Sequence, residues 1–149
     1  MHYVTAMAAH HSYGPTLSPA VDGIRLILHV LGATVWVGGQ LTVAGLLPTI
    51  RGLGPDAPKK VARAFARLMW PAYALLAITG FWNIGAIHLD SAPTSWKVVL
   101  IVKIVVVAAA GISVWLHQRA TTKAGLAAWG AIGALTSVAA LCLGVFLAR

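Results

Sequence analysis

Apolar residues along the chain gather into four long runs, at about residues 26–47, 68–87, 98–116 and 126–148, with short polar stretches between them. Each run reaches the ~20 residues that an α-helix needs to cross a ~30 Å hydrocarbon core. In lipid every backbone N–H and C=O must find its partner within the segment, so the runs read as helices. Their expected extents, with polar flanks, are about residues 22–49, 62–88, 96–117 and 124–148. The pattern predicts an all-α integral membrane protein, a four-transmembrane-helix antiparallel bundle over residues 22–149. Residues 1–21 read as an irregular, His-containing lead-in, because Gly14-Pro15 and Ser18-Pro19 break any regular element.

Composition leaves little room for anything else. Of 149 residues, 59% are apolar and 9% charged, against ~25% charged in an ordinary soluble domain. The segment before the first helix lacks a basic start and an apolar core, so a cleavable signal peptide is not expected there. Pro19 followed by Asp22 marks a helix start with an acid in its first turn. One cysteine, Cys142, excludes an internal disulfide and a CxxC motif.

The net charge of +8 is unevenly placed. Arg51, Lys59, Lys60, Arg63 and Arg67 surround the first connection, and Arg119 and Lys123 the third. Arg25, Lys97 and Arg149 lie toward the opposite side. By the positive-inside rule the two basic connections face the cytoplasm, and both termini and the second connection face out, as in a prokaryotic-type cytoplasmic membrane. The charge thus reads as a topology signal. Nucleic-acid binding would require basic residues interleaved with aromatics on a soluble surface, and none is present. The expected partner is the lipid bilayer; a homo-oligomer or a larger membrane complex is a further option.

Two basic residues interrupt the apolar runs. Lys103 stands alone in residues 98–116, and His29 in the first run. A charge at bilayer depth costs ~2.5–3.5 kcal/mol on the insertion scale, so it calls for a partner, water or a function. At 1.5 Å per residue His29 lies roughly 9 Å, Lys103 roughly 10 Å and Cys142 roughly 8 Å below the outer end of their helices. His88 sits just above this layer, and His10 and His11 belong to the same side. Simpler readings stand beside this one. Lys103 can snorkel to the interface, His29 can bond a neighbouring helix, Cys142 can be a packing residue, and the N-terminal histidines can belong to a tail.

His29 and Trp36 are seven residues apart, on one helix face, with Gly32, Gly38 and Gly39 thinning the helix nearby. Those glycines either admit a flat ligand or serve close helix packing. Gly130/Ala134 and Gly133/Ser137 make a packing face on the fourth helix. Trp70-Pro71 predicts a kink in the second helix, where Asn83 could hydrogen-bond into the polar layer. Lys103 and His117 share a face four turns apart, which suits conduction or, more simply, a basic helix end.

The run LHVLGATVWVGGQL in the first helix resembles the His-…-Trp-x-Gly-Gly opening of the CopD-like (copper resistance D) membrane domain family. ARAFARLMWPAYALLAITGFWN and TSWKVVLIVKIVVVAAAGISVWLHQR are similar to that family's second and third helices, the latter with its lysine. The resemblance covers roughly residues 24–120. The related HemJ-like proteins share a first-helix histidine and a third-helix lysine, associated with haem b and porphyrinogen oxidation. The first resemblance implies a copper-handling membrane protein, binding or transporting the ion through an outer-half site. His10, His11 and His88 would collect the ion, and His29 and Cys142 would offer imidazole and thiolate. The second implies haem b, with His29 as axial ligand, Gly32 and its neighbours making room, Trp36 bounding the macrocycle and Lys103 meeting a carboxylate or the iron. A cation beside a cation is repulsive, so Lys103 suits haem better than copper. A non-catalytic subunit of a larger complex is the third reading.

Overall fold

The computed structural model describes residues 19–148. Four long helices occupy nearly all of them: α1 (Ala20–Gly52), α2 (Ala57–Gly85), α3 (Thr94–Arg119) and α4 (Lys123–Leu147). A single 3₁₀ turn, Leu89–Ser91, interrupts the α2–α3 connection. All four helices are long and apolar enough to cross a membrane, and the chain is a multi-pass, all-α four-helix bundle.

Local chemistry sets the boundaries. Pro19 and Pro93 stand immediately before α1 and α3, and a proline occupies the first turn of α2, where its missing N–H would have had no helical partner. Thr122 caps α4 by accepting the Gly125 N–H at 3.1 Å. The α1–α2 connection turns at Gly54, whose φ of +127° is open to glycine and few other residues. α2 starts at Ala57 rather than 62, because the basic segment Lys59–Arg67 is helical although it is not apolar. It also ends at Gly85, three residues before the expected position. α2 remains helical through Pro71.

The middle of α1 departs from α geometry. Thr34–Gly38 forms a π-helical turn. Thr34 and Thr42 flank it with hydroxyls donated to the carbonyls four residues earlier, Val30 at 2.9 Å and Gly38 at 2.8 Å. Such back-bonding competes with regular helix hydrogen bonding. The widened turn buries Trp36 and Val37 side by side.

The bundle is built from two helical hairpins. In the α1–α2 hairpin, a Cβ at Gly32 would meet Leu76 and the Ala72 carbonyl at 3.0–3.2 Å, and one at Gly39 would strike the Phe65 ring. In the α3–α4 hairpin, Gly130 packs on His117 and Gly133 on Val114. Small residues therefore set both helix separations, as is usual where lipid supplies no hydrophobic drive to associate. The hairpins meet at a core of Trp36, Val37, Met69 and Val114, against which Phe65, Trp70, Tyr73, Leu76 and Val138 pack. Large apolar side chains elsewhere, such as Ile78, Val105 and Leu135, point outward, as lipid-facing positions should.

Candidate functional site

Where the hairpins join, polar groups do the joining. The Trp36 indole N–H donates to Ser137 Oγ at 2.9 Å, and the Gln40 amide donates to the same oxygen at 3.2 Å. Ser137 passes its own proton to the Gly133 carbonyl at 2.7 Å. Tyr73 donates to the Val107 carbonyl at 2.9 Å, and Trp70 to Gln118 at 3.1 Å. Trp36, Trp70 and Tyr73 pack with centroids 4.5–5.9 Å apart. All these links lie from the π turn toward the end that carries the basic connections. At the other end, near the α2–α3 connection, no side-chain hydrogen bond joins the two hairpins among the described residues.

His29 and Lys103 occupy that unlinked end. His29 Nδ1 lies 2.8 Å from Thr79 Oγ1, and Thr79 is 1% exposed. Thr79 donates its one proton to the Leu75 carbonyl at 2.7 Å, so its oxygen is left to accept from His29 Nδ1–H. This assigns the neutral imidazole its tautomer: Nε2 carries the free lone pair. A Cβ at Gly80 would stand 3.7 Å from Cε1, in ordinary van der Waals contact with the ring. Lys103, from the other hairpin, is close enough to interact electrostatically with the imidazole. Its Nζ rests on bare α4 backbone, 3.1 Å from where a Gly144 Cβ would be. Among the described residues no carboxylate pairs with it.

One turn above His29, on the same face of α1, lies Arg25. Its side chain is 11% exposed and its Nη2 meets Asp22 Oδ1 at 3.1 Å. Its Nε is buried with no hydrogen-bond partner. Leaving such a donor unsatisfied costs ~1–3 kcal/mol, more for a charged group. Together Asp22, Arg25 and Lys103 carry a net charge of +1 with the imidazole neutral.

The other expected site residues are placed elsewhere. Trp36 is buried in the aromatic core, two turns deeper than His29, with its N–H committed to Ser137. Gly32 is filled by Leu76 and serves helix packing. Cys142 and His88 are exposed, and no three His, Cys, Asp or Glu side chains form a metal-ligating group among the described residues. The expected gathering of His29, His88 and Cys142 is thus not found: residues at one depth on different helices need not face one another. His10 and His11 lie outside the described residues. His117 donates Nδ1–H to the Leu126 carbonyl at 2.8 Å and fastens the α3–α4 connection. A groove of about 410 Å³ between α2 and α3, lined by Trp70, Tyr73, Ala108, Gly111, Ile112 and Trp115, is almost wholly apolar and opens outward. It lies in the opposite half from His29.

The sequence pattern gave Thr79 and Gln40 no role, and marked Arg25 only as a charge and Ser137 only as a packing residue. Thr79-Gly80 stood within the segment resembling the CopD-like family, which was the one available signal for the first of them. These features define a polytopic helical membrane protein with one oriented histidine and two cations near one end. No family model, curated protein or solved structure matches the chain.

Proposed function

We propose that the chain is a haem b-binding protein of the cytoplasmic membrane that takes part in electron transfer, with His29 as an axial ligand. The observation that carries this reading is the Thr79-oriented imidazole, Nε2 free, within electrostatic range of a lysine from the opposite hairpin. Ligating histidines commonly donate their second ring nitrogen in this way, which raises basicity at the metal-binding nitrogen.

The residues present fit the group. Haem brings most of its own iron ligands, so one histidine suffices, whereas a copper ion needs several protein donors gathered at one point. Two cations at this end suit a ligand with carboxylates and repel a bare metal ion. No side-chain hydrogen bond ties the hairpins together at the His29 end among the described residues, so parting them there to admit a flat macrocycle breaks none. A bound haem supplies a one-electron couple. The protein's part is to hold His29 in one tautomer through Thr79, to neutralise carboxylates with Lys103, and to keep the apolar helix faces around the site dry. The excess of basic residues at the other end supports an outward-facing His29 end.

The test is an absorption spectrum of detergent-purified protein. A Soret band that disappears in His29→Ala, with helicity retained, supports the assignment. Copper on metal analysis without a Soret band turns the reading to copper handling. Neither iron nor copper leaves a non-catalytic subunit.

A further inference from the structure

Among all polar side-chain atoms of the described, non-exposed residues, only Arg25 Nε is buried without a partner. It lies one helical turn above His29, on the same face of α1. Asp22 satisfies Nη2 from within the helix, so the guanidinium is held in place while its Nε–H is left to point at something else. An arginine side-chain fork is shaped for a carboxylate. The nearby carboxylate, Asp22, is 42% exposed and reaches only Nη2. Lys103 repeats the situation from the other hairpin: an ammonium on bare backbone at Gly144, with no acidic partner among the described residues. Two cations from two hairpins therefore lie toward the His29 end, Arg25 one turn from His29 on the same helix face and Lys103 within electrostatic range of the imidazole, and neither has a full set of partners among the described residues.

We propose that Arg25 is a ligand-binding residue: its Nε–H donates to one carboxylate of the molecule bound at His29, and Lys103 receives the second. The inference rests on the haem reading, in which these carboxylates would be the two propionates. Asp22 competes weakly for the guanidinium through Nη2. The net charge of +1 from Asp22, Arg25 and Lys103 is then met by the ligand's two negative carboxylates, and the buried donor is satisfied only in the loaded protein.

The experiment compares iron protoporphyrin IX with its dimethyl ester, whose propionates carry no charge. Both are titrated into apo-protein of the wild type, Arg25→Gln, Arg25→Lys and Asp22→Asn, with helicity checked on each. The wild type should bind the free acid about tenfold or more tightly than the ester, the size expected of one charge-assisted hydrogen bond. Arg25→Gln should lose most of that preference while keeping the Soret position set by His29. Arg25→Lys should retain part of it. Asp22→Asn should raise affinity for the free acid alone, because a competitor is removed. A wild type that binds acid and ester equally overturns the proposal without any variant being needed. So does an Arg25→Gln protein that keeps the full preference. A wild type that shows no shift of the Soret band on titration with either compound instead overturns the haem reading itself, and the proposal with it.

Discussion

His29 Nδ1 and Thr79 Oγ1, from facing helices, stand 2.8 Å apart, and Thr79 sends its only proton the other way, to Leu75. The pair converts an ambiguous imidazole into one with a defined lone pair at Nε2. Removing the hydroxyl while keeping the shape, as in Thr79→Val, leaves the fold in place and frees the tautomer. Outer partners of a metal-ligating histidine are typically worth 10–100-fold in affinity. Haem titration of Thr79→Val should show a loss in that range, and Thr79→Ser should recover most of it. An unchanged affinity in Thr79→Val would mean that the hydrogen bond only packs the helices.

Lys103 should trade stability against binding. Without a ligand it is a cation at bilayer depth with no acidic partner, and insertion scales set the penalty at ~2.5–3.5 kcal/mol. Snorkelling toward the interface reduces this, so Lys103→Leu should stabilise the apo-protein by about 1–2 kcal/mol. The same change should weaken haem retention. Thermal melts with and without haem read both signs at once: a higher apo midpoint and a smaller shift on loading. A substitution that lowers the apo midpoint would show that Lys103 is already satisfied in the empty protein.

The helices were legible in the sequence because lipid permits few alternatives: a run of ~20 apolar residues has one stable form there. Hydropathy, however, reports the part that crosses the lipid and not the helix. This is why Ala57–Arg67, helical but basic, fell partly outside the expected second segment. His29 and Lys103 stood out because they broke apolar runs. Thr79 and Arg25 did not, since hydroxyls are ordinary in membrane helices and an arginine near a helix end reads as an interfacial anchor. What makes each notable is a contact across helices, or the lack of one, and neither exists until the helices are packed. The π turn at Thr34–Gly38 was invisible for a related reason. It alters the angular register that periodicity assumes, so face assignments made across it from spacing alone carry an offset. Cys142 shows the limit of depth as evidence: it shares a layer with His29 yet is exposed.

The junction between hairpins yields a separate prediction. Gly111 lies under the Tyr73 ring, and an added Cβ would stand 2.5 Å from the hydroxyl and 2.7 Å from Cζ. Gly111→Ala must therefore displace Tyr73 and break its bond to the Val107 carbonyl. Overpacking of this kind costs ~1–3 kcal/mol. Tyr73→Phe alone should cost less, about 0.6 kcal/mol for one hydrogen bond in a membrane protein. Because the two changes share one cause, the double variant should be more stable than the sum of the singles. Strict additivity in denaturant titrations would show that the collision is relieved elsewhere.

Orientation can be decided independently of any cofactor. The basic residues at the first and third connections outnumber those near the other ends, and such an excess in short connections marks the cytoplasmic side. Cys142, the natural cysteine, is exposed on the described surface and would complicate labelling. Cys142→Ala removes it at little cost, since an exposed position has no cavity to leave behind. On that background, Ala57→Cys at the start of α2 should react with a membrane-impermeant maleimide only after the cells are opened. Ser91→Cys in the 3₁₀ turn of the α2–α3 connection should react in intact cells. Labelling of position 57 from outside, with position 91 protected, would invert the bundle. His29, Lys103 and Arg25 would then face the cytoplasm, where a haem would exchange electrons with partners on that side.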